Sequence, residues 1–419
     1  MAEDAEQAED RIHSLVRTAA VRDRRRNVVR RFLRKNRTSI STTHFSIDVM
    51  GMRIEEEAWI QNADIIHLHW VAETLSSASL AGLAKLGKRV VWTLHDMRPL
   101  TGGCHFPAGC QKFMDGCGSC PQLRADYYQT TARTLKAMEV AVESLQPHFV
   151  APSAWMAEQV RLSRVGRNRG VSIIPNGVNT DTFSPGVRGE ARRQLGLPQN
   201  GRMILLAGHS FVEKRKGLDH ALQILSMLRQ EERACSGVAQ GEISLLLAGG
   251  DSKEVQPRGW QVHRVGRVPA ERMPLLYQAA DVLLFTSLED NLPNVILEGM
   301  ACGLPVVAHR VGGVEDLLGG AEPAGLLFYP QHSEEGTSGL LRIFDEPRLA
   351  EQLASRSLQR ARNQFSIARQ AKNMVSLYQS LSSPCIGQAS EGEEGAQILG
   401  NVPYWRYVWE RWKSRLILR

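Results

Sequence analysis

The sequence predicts two successive α/β domains, each a parallel sheet doubly wound with helices. Two observations predict this class. Short apolar runs alternate with amphipathic stretches from about residue 64, and the alternation starts afresh after the turn-rich residues 175–186. A chain of 419 residues is long enough for two domains of ordinary size. We place a basic polar segment at residues 1–38, the first domain at 39–184, the second at 185–380 and a tail at 381–419.

The first domain is predicted to contain strands near residues 65–70, 89–95, 148–152 and 171–175, with helices at 80–86, 124–145 and 154–162. Before residue 64 the sequence shows no succession of strand, glycine-rich turn and helix. The second domain is predicted to contain strands at 203–207, 243–248, 263–265, 282–285 and 305–308.

Composition excludes several classes of protein. Apolar residues make up 43% of the chain and charged residues 23%, which is typical of a globular protein. No apolar run reaches the length that a membrane-spanning helix needs, and the first forty residues do not resemble a secretory signal. These features predict a cytoplasmic protein.

Positive charge is concentrated at the two ends of the chain, whose net charge is +7. Arginines crowd residues 22–37, and the last residues are basic with Trp405, Trp409 and Trp412 on one predicted helical face beyond a flexible connector at 382–397. Such a tail suits the inner face of an anionic membrane, and it equally suits docking on the protein itself. Nucleic-acid binding by the arginines rests on charge alone, and we expect no specific nucleic acid.

Three polar segments follow predicted strands, where the ligands of doubly wound sheets bind. His95 and Asp96 end the strand at 89–95, and this histidine is either a hydrogen-bonding catalytic group or a structural one. The cations at 214–216 precede Gly217 and could clamp a diphosphate, although a solvated basic loop is the alternative.

The third segment, residues 287–298, is the most informative. It opens a helix whose free backbone N–H groups favour an anionic or hydroxyl-rich ligand. Asp290 and Glu298 bracket the helix start, and each carboxylate could accept hydrogen bonds from a vicinal diol. Glu298 lies among small and apolar residues, where an unpaired charge would be costly, so we expect it to bind a ligand.

Four cysteines form a separate cluster, Cys104, Cys110, Cys117 and Cys120. Clustered thiols in a reducing compartment are commonly metal ligands, and the C-x2-C pair suits structural zinc, whereas the wider spacings do not. The alternative is four free thiols that pack a loop.

These segments together resemble glycosyltransferase family 4, the retaining enzymes of the GT-B fold. Asp290 and Glu298 match the acidic positions of the family's E-x7-E segment, Lys216-Gly217 its phosphate-binding pair, and residues 175–179 its interdomain P-N-G-V-D. Residues 365–378 resemble the final helix, which crosses back to the first domain. Residues 93–96 and 101–121, with the four cysteines, are most similar to the colanic-acid-type bacterial enzymes of exopolysaccharide and lipopolysaccharide synthesis.

The resemblance implies two Rossmann-like domains facing a cleft, a nucleotide-sugar donor, and a saccharide or lipid-linked saccharide acceptor. It implies that Glu298 holds the ribose hydroxyls, that Lys216 with Arg215 stabilises the departing diphosphate, and that His95 contacts the donor sugar. The donor sugar would also meet Asp290 and the backbone of Asn291, Leu292, Pro293 and Asn294. No cofactor is needed for transfer, and the sequence contains no D-x-D motif for a divalent ion.

The sequence departs from the family in three respects. Family members open with a strand and a glycine-rich turn, so the resemblance implies that the first domain here lacks its opening βαβ unit. His209 replaces the usual arginine after the first strand of the second domain, and Asp290 is one methylene shorter than the usual Glu. Two functions therefore stay open: an active transferase, and a degenerate relative that binds a nucleotide-sugar without turnover.

Overall fold

The structure is a computed structural model that describes residues 19–40, 43–48, 51–211, 213–231 and 242–382. Residues 36–380 form one compact unit, whereas residues 1–35 and 381–419 belong to a second. In the second unit, helix α1 spans Ala19–Lys35 and carries much of the early basic run. The predicted connector and tryptophan-bearing tail lie outside the described residues. In the described part of the chain, no helix is long and apolar enough to cross a membrane.

The first sheet contains four parallel strands in the order β1-β2-β3-β4 within the described residues. They are β1 (Ile65–Leu68), β2 (Arg89–Thr93), β3 (His148–Ala151) and β4 (Val171–Ile173). The helices of this region are α2 (Ala58–Gln61), α3 (Ser77–Ala84), α4 (Thr130–Leu145) and α5 (Ala154–Leu162). Strands β2 and β3 are almost wholly buried, as expected for central parallel strands covered on both faces.

Local sequence signals explain where these helices begin and which face they bury. Ser76 and Ser153 cap α3 and α5 by accepting hydrogen bonds from backbone N–H groups three residues on. Helix α4 buries Leu135, Met138 and Val142, which recur at helical spacing, and leaves its opposite face to solvent. The apolar stripe of α4 therefore faces the interior of the protein.

In the described part of the chain, the second sheet has six parallel strands in the order β10-β9-β8-β5-β6-β7. They are β5 (Arg202–Ala207), β6 (Ile243–Ala248), β7 (Val262–Gly266), β8 (Val282–Phe285), β9 (Val306–His309) and β10 (Leu326–Phe328). The sequence predicted five strands for this sheet and missed the sixth, β10. Strand β10 has only three residues and lies at the sheet edge, so it produces little periodic signal.

Eight described helices accompany the second sheet: α6 (Arg188–Leu195), α7 (Leu218–Gln230), α8 (Met273–Ala279), α9 (Asn294–Ala301), α10 (Val314–Leu318), α11 (Ser333–Asp345), α12 (Pro347–Gln364) and α13 (Ile367–Ser382). The core forms two clusters, one on each face of the sheet. Leu205 packs in one cluster and its neighbours Ile204 and Leu206 in the other, as the alternation of side chains along a strand requires.

Helix α13 returns to the first sheet. Ser366, just before the helix, forms a parallel bridge with Val178, and the hydroxyl of Tyr378 lies 2.5 Å from Nδ1 of His67 on β1. The last described helix therefore contacts the first described strand of the first sheet. Both sheets lie in the same compact unit.

Candidate active site

The order of strands in the second sheet defines one crevice at its carboxyl edge. Strand β5 pairs with β6 on one side and β8 on the other, so the winding reverses between β5 and β8. Strand β5 leads to the basic residues at 214–216, and β8 leads directly to the segment 287–293. Since ligands of doubly wound sheets bind where the winding reverses, the sheet brings two of the three predicted segments to its binding edge.

Gly217 allows these two segments to approach each other. Its φ is +67°, and a Cβ at this position would lie 1.8 Å from the carbonyl oxygen of Thr286. Any other residue would be strained in this backbone conformation and would also collide with the backbone that follows β8. The backbone N–H of Leu288 donates to the carbonyl of Arg215 over 2.7 Å, which fixes the two loops side by side.

Three charged side chains meet between these loops. Nζ of Lys216 lies 2.9 Å from Oδ2 of Asp290, and Nη1 of Arg215 lies 3.1 Å from the same oxygen. Burial by itself would raise the pKa of Asp290, but the charges of Lys216 and Arg215 outweigh burial and lower it. The site therefore holds an ionised carboxylate between two cations, and the Lys216 side chain keeps 25% of its surface exposed.

Arg215 is held more tightly than Lys216. Its side chain is 10% exposed, and it donates to the backbone carbonyl of Glu289 over 2.7 Å and to the carboxylate of Glu213 over 3.2 Å. Burial lowers the pKa of Arg215, but the Asp290 and Glu213 carboxylates more than offset this and raise it. The guanidinium is thus charged and fixed in place.

Glu298 lies on α9 and is 8% exposed. The sequence indicated that this carboxylate needs a pairing group, and the protein itself supplies one, because the hydroxyl of Tyr277 on α8 donates to Oε2 of Glu298 over 2.8 Å. Burial and the neighbouring Glu298 charge raise the pKa of Tyr277 well above its usual value, so the tyrosine stays a neutral donor. No local pattern could have indicated this pair, because the two residues lie on different helices.

The start of α9 is tied to the first sheet. Nδ2 of Asn291 donates to the carbonyl of Leu94 over 2.9 Å and to that of His95 over 3.3 Å. The hydroxyl of Ser153 donates to Oδ1 of Asn291 over 2.8 Å. The Asn291 side chain therefore joins the two halves of the compact unit, which leaves its backbone as the part that could meet a ligand.

The remaining residues of this segment take different positions. Leu292 is 5% exposed and packs in the core, and Pro293 is buried as the residue before α9. Asn294 begins the helix, and its Oδ1 accepts a 3.4 Å hydrogen bond from Asn176, which the sequence placed in the interdomain turn. Because the side chains of Leu292 and Pro293 are buried, these two residues could contact a ligand only through their backbone.

His95 follows β2, beside the residues that contact Asn291. Its Nε2 lies 3.0 Å from Nδ1 of His69, which follows β1, and the two rings stack with centroids 5.3 Å apart. Burial lowers the pKa of His95 to about 3 and that of His69 to about 4, so both imidazoles are neutral near pH 7. His69 was not predicted, although its place after the neighbouring parallel strand could have indicated it.

Asp96 has a structural role beside His95. Its Oδ2 accepts hydrogen bonds of 2.7 Å from Nδ1 of His105 and 2.8 Å from Nε1 of Trp70, and Oδ1 accepts one of 2.9 Å from the backbone of Arg98. Burial raises the pKa of Asp96, but His105 and the other donors reverse this and lower it. The carboxylate thus fixes the loop that follows β2.

The four clustered cysteines line one small cavity with Phe45, Phe113 and Thr131, and each is a free thiol. Burial raises the pKa of Cys117 to about 11, so this thiol is protonated near neutrality. In the described parts of the chain, no three His, Cys, Asp or Glu side chains are arranged to hold a metal ion. Zinc binding by the four cysteines stays a prediction of the sequence.

Comparisons with known proteins agree with this architecture. The family model described as Glycosyltransferase Family 4 matches residues 3–182, and the model described as Glycosyl transferases group 1 matches residues 201–346. A D-inositol 3-phosphate glycosyltransferase of Nocardiopsis dassonvillei is 28% identical over 357 residues, which cover 81% of this chain and 76% of the relative.

Solved structures show the same fold. Sucrose-phosphate synthase from Thermosynechococcus elongatus aligns with a TM-score of 0.56 at 22% identity, covering 76% of this chain and 74% of that one. Anabaena HepE in complex with UDP-glucose aligns with a TM-score of 0.53 at 17% identity, covering 77% of this chain and 81% of that one. The two family models match both sheets in turn, and the chain is therefore a family 4-type glycosyltransferase with the GT-B fold.

Proposed function

We propose that the chain is an active, retaining hexosyltransferase that uses a UDP-sugar donor. The observation that carries this proposal is the cluster of Arg215, Lys216 and Asp290 where the winding of the second sheet reverses. Two cations at such an edge suit the diphosphate of a nucleotide-sugar. The complex of Anabaena HepE with UDP-glucose supports the choice of uridine among the donor bases.

In this proposal the side chains have distinct roles. Lys216, with its exposed surface, contacts the diphosphate, and Arg215 adds a fixed positive charge beside it. Glu298 accepts hydrogen bonds from the ribose hydroxyls. Asp290 and the backbone at 291–294 contact the donor sugar, and so does the neutral His95.

The transfer itself needs no side-chain nucleophile. The acceptor hydroxyl attacks the anomeric carbon on the face from which the diphosphate leaves. The bond from carbon to phosphate oxygen breaks as the new glycosidic bond forms, and the hydroxyl proton passes to the leaving diphosphate. Fixed positive charge at the leaving group lowers the barrier because it is aimed at charge that develops in the transition state. In this scheme Lys216 and Arg215 supply that charge without a divalent ion.

For the acceptor we propose a saccharide or lipid-linked saccharide of polysaccharide or lipopolysaccharide synthesis. The similarity of residues 93–96 and 101–121 to the colanic-acid-type enzymes supports this class. A phosphorylated polyol is the second candidate, because the Nocardiopsis relative is a D-inositol 3-phosphate glycosyltransferase. Release of UDP that depends on one acceptor class and not on the other would decide between them.

We also propose that the basic ends of the chain associate with an anionic membrane surface on the cytoplasmic side. Arginines at 22–37 and the tryptophans of the tail support this, since cations opposite an aromatic face suit a membrane interface. Loss of sedimentation with anionic vesicles after deletion of residues 400–419 is the expected result. Equal sedimentation of the full and shortened chains would contradict the proposal.

The first experiment is a calorimetric titration of the purified chain with UDP-, GDP- and ADP-sugars, with Glu298→Ala as the comparison. Binding of a UDP-sugar by the wild type and its loss in the variant are expected. Turnover is then measured as UDP release with each acceptor class. Binding without release for any acceptor would favour the alternative of a degenerate binding protein. No binding of any donor would contradict the proposed function.

A further inference from the structure

A loop from the first half of the chain reaches the predicted donor residues of the second. This loop, residues 104–110, follows β2 and contains the first two clustered cysteines. The ring of Phe106 lies under the guanidinium of Arg215, with Cζ 4.0 Å from the ring centroid. The backbone N–H of Ala108 donates to Oε2 of Glu289 over 3.0 Å. Two successive residues after β8, Glu289 and Asp290, are thus linked to this loop, one directly and one through Arg215.

The contact between Phe106 and Arg215 completes the enclosure of the guanidinium. Hydrogen bonds to the Glu289 carbonyl and to Asp290 hold its edge, and the Phe106 ring covers its face. A cation over an aromatic ring is held more strongly when the pair is shielded from water. The Arg215 side chain is only 10% exposed, so water screens this contact little.

Phe106 is itself held by the first half of the chain. Its carbonyl accepts a 2.8 Å hydrogen bond from Nε2 of Gln122, and the carbonyl of His105 accepts one of 2.9 Å from the backbone of Met97. His105 is fixed in turn by Asp96. The backbone that carries the Phe106 ring is therefore fixed to the residues that follow β2.

We propose that Phe106 is a positioning residue for the donor diphosphate, which it serves by holding the Arg215 guanidinium where the β-phosphate binds. The inference rests on the proposed function, because it assumes that Arg215 and Lys216 bind the diphosphate. It assigns part of the donor site to the half of the chain that carries β1–β4. Glu289 contributes by anchoring the same loop through Ala108.

The test compares titrations of UDP and UMP, since UMP lacks the β-phosphate. Phe106→Ala and Phe106→Leu are expected to weaken UDP binding about tenfold, which corresponds to losing an interaction of ~1.4 kcal/mol. The same variants should change UMP binding less than twofold. Phe106→Tyr keeps the ring face and should bind UDP as the wild type does. The control is Trp59→Ala, which removes an aromatic side chain that is 49% exposed and lies outside the 104–110 loop.

A double-mutant cycle with Arg215→Ala separates positioning from general damage to the loop. If Phe106 acts through Arg215, then Phe106→Ala causes no further loss of UDP binding once Arg215 is Ala. Additive losses, equal weakening of UDP and UMP, or wild-type affinity in Phe106→Leu would overturn the inference and leave the proposed function intact. Absence of UDP binding by the wild type would overturn both.

Discussion

The hydroxyl of Tyr277 donates a 2.8 Å hydrogen bond to the carboxylate of Glu298, and both side chains are buried at the second sheet. Tyr277 lies on α8 and Glu298 on α9, so this bond fixes the carboxylate from a neighbouring helix. A carboxylate held in one orientation is a better partner for a vicinal diol than a mobile one, because less freedom is lost on binding. The bond therefore links core packing to the predicted ribose site.

Tyr277→Phe removes this hydrogen bond and little else. Because the acceptor is a buried carboxylate, we expect the free energy of unfolding to fall by about 1–3 kcal/mol. Affinity for the donor should fall with it. Urea denaturation checks the first expectation as a lower midpoint with an unchanged slope. In a Glu298→Gln background the same substitution should cost less, because the acceptor then carries no charge. An unchanged midpoint in both backgrounds would contradict the argument.

Asp290→Asn removes the charge that pairs with Lys216 and Arg215. The folded-state pKa of Asp290 lies below its unfolded value, so its ionised form stabilises the fold above pH ~4. That stabilisation is lost as pH falls through the lower, folded-state pKa. We expect Asp290→Asn to be less stable than the wild type at pH 7 by about 1–3 kcal/mol, and the difference to shrink in strong acid. Denaturant midpoints at pH 7 and pH 3 give the comparison, and a constant difference would rule out the linkage.

Glu289 should give the opposite pH dependence. Burial raises the pKa of Glu289 from 4.5 to about 7, and the neighbouring Asp290 charge adds to this effect. The hydrogen bond from Ala108 and the charge of Arg215 oppose it only in part. The folded state therefore binds the proton more tightly than the unfolded state, and stability falls as pH rises between these values. Glu289→Gln keeps an oxygen that can accept the hydrogen bond from Ala108, but its side chain has no carboxyl group to titrate.

The measurement is the free energy of unfolding of both proteins at pH 5 and pH 7.5. As pH rises, the free energy of unfolding of Glu289→Gln should increase relative to that of the wild type. Glu139→Gln is the control, because hydrogen bonds from Arg164 and Lys136 outweigh burial and lower the pKa of Glu139. Both pH values lie above its unfolded-state pKa of 4.5, so Glu139→Gln should be less stable than the wild type by the same amount at pH 5 and pH 7.5. Parallel curves for Glu289→Gln and the wild type would mean that Glu289 does not titrate near neutrality.

The sequence predicted the segments of the site better than their contacts. Segments 214–217 and 287–298 were predictable because the residues after parallel strands collect at one sheet edge. The strand order that makes β5 and β8 neighbours was not predictable, since it depends on long-range pairing. Phe106 and Tyr277 were not predicted for the same reason, since each reaches the site from an element distant in sequence. Strand β10 was not predicted because three residues at a sheet edge are too few to show a hydrophobic period.

Two glycines with nearly the same backbone conformation test how closely the two donor loops must approach. Gly217 has a φ of +67° and Gly196 a φ of +66°, yet a Cβ would lie 1.8 Å from the Thr286 carbonyl at Gly217 and would meet nothing within 4 Å at Gly196. Gly196→Ala therefore incurs only the strain of a left-handed conformation, about 1 kcal/mol. Gly217→Ala incurs that strain and a backbone collision.

We expect Gly217→Ala to lose clearly more stability than Gly196→Ala, and to lose donor binding as well. The reason is that relief of the collision requires the 214–217 loop to move away from the residues after β8, which separates Lys216 from Asp290. Gly196→Ala should bind donor as the wild type does. Thermal unfolding and calorimetric titration of the two variants give the comparison. Equal stability and equal donor affinity in the two would show that the loops need not touch for binding.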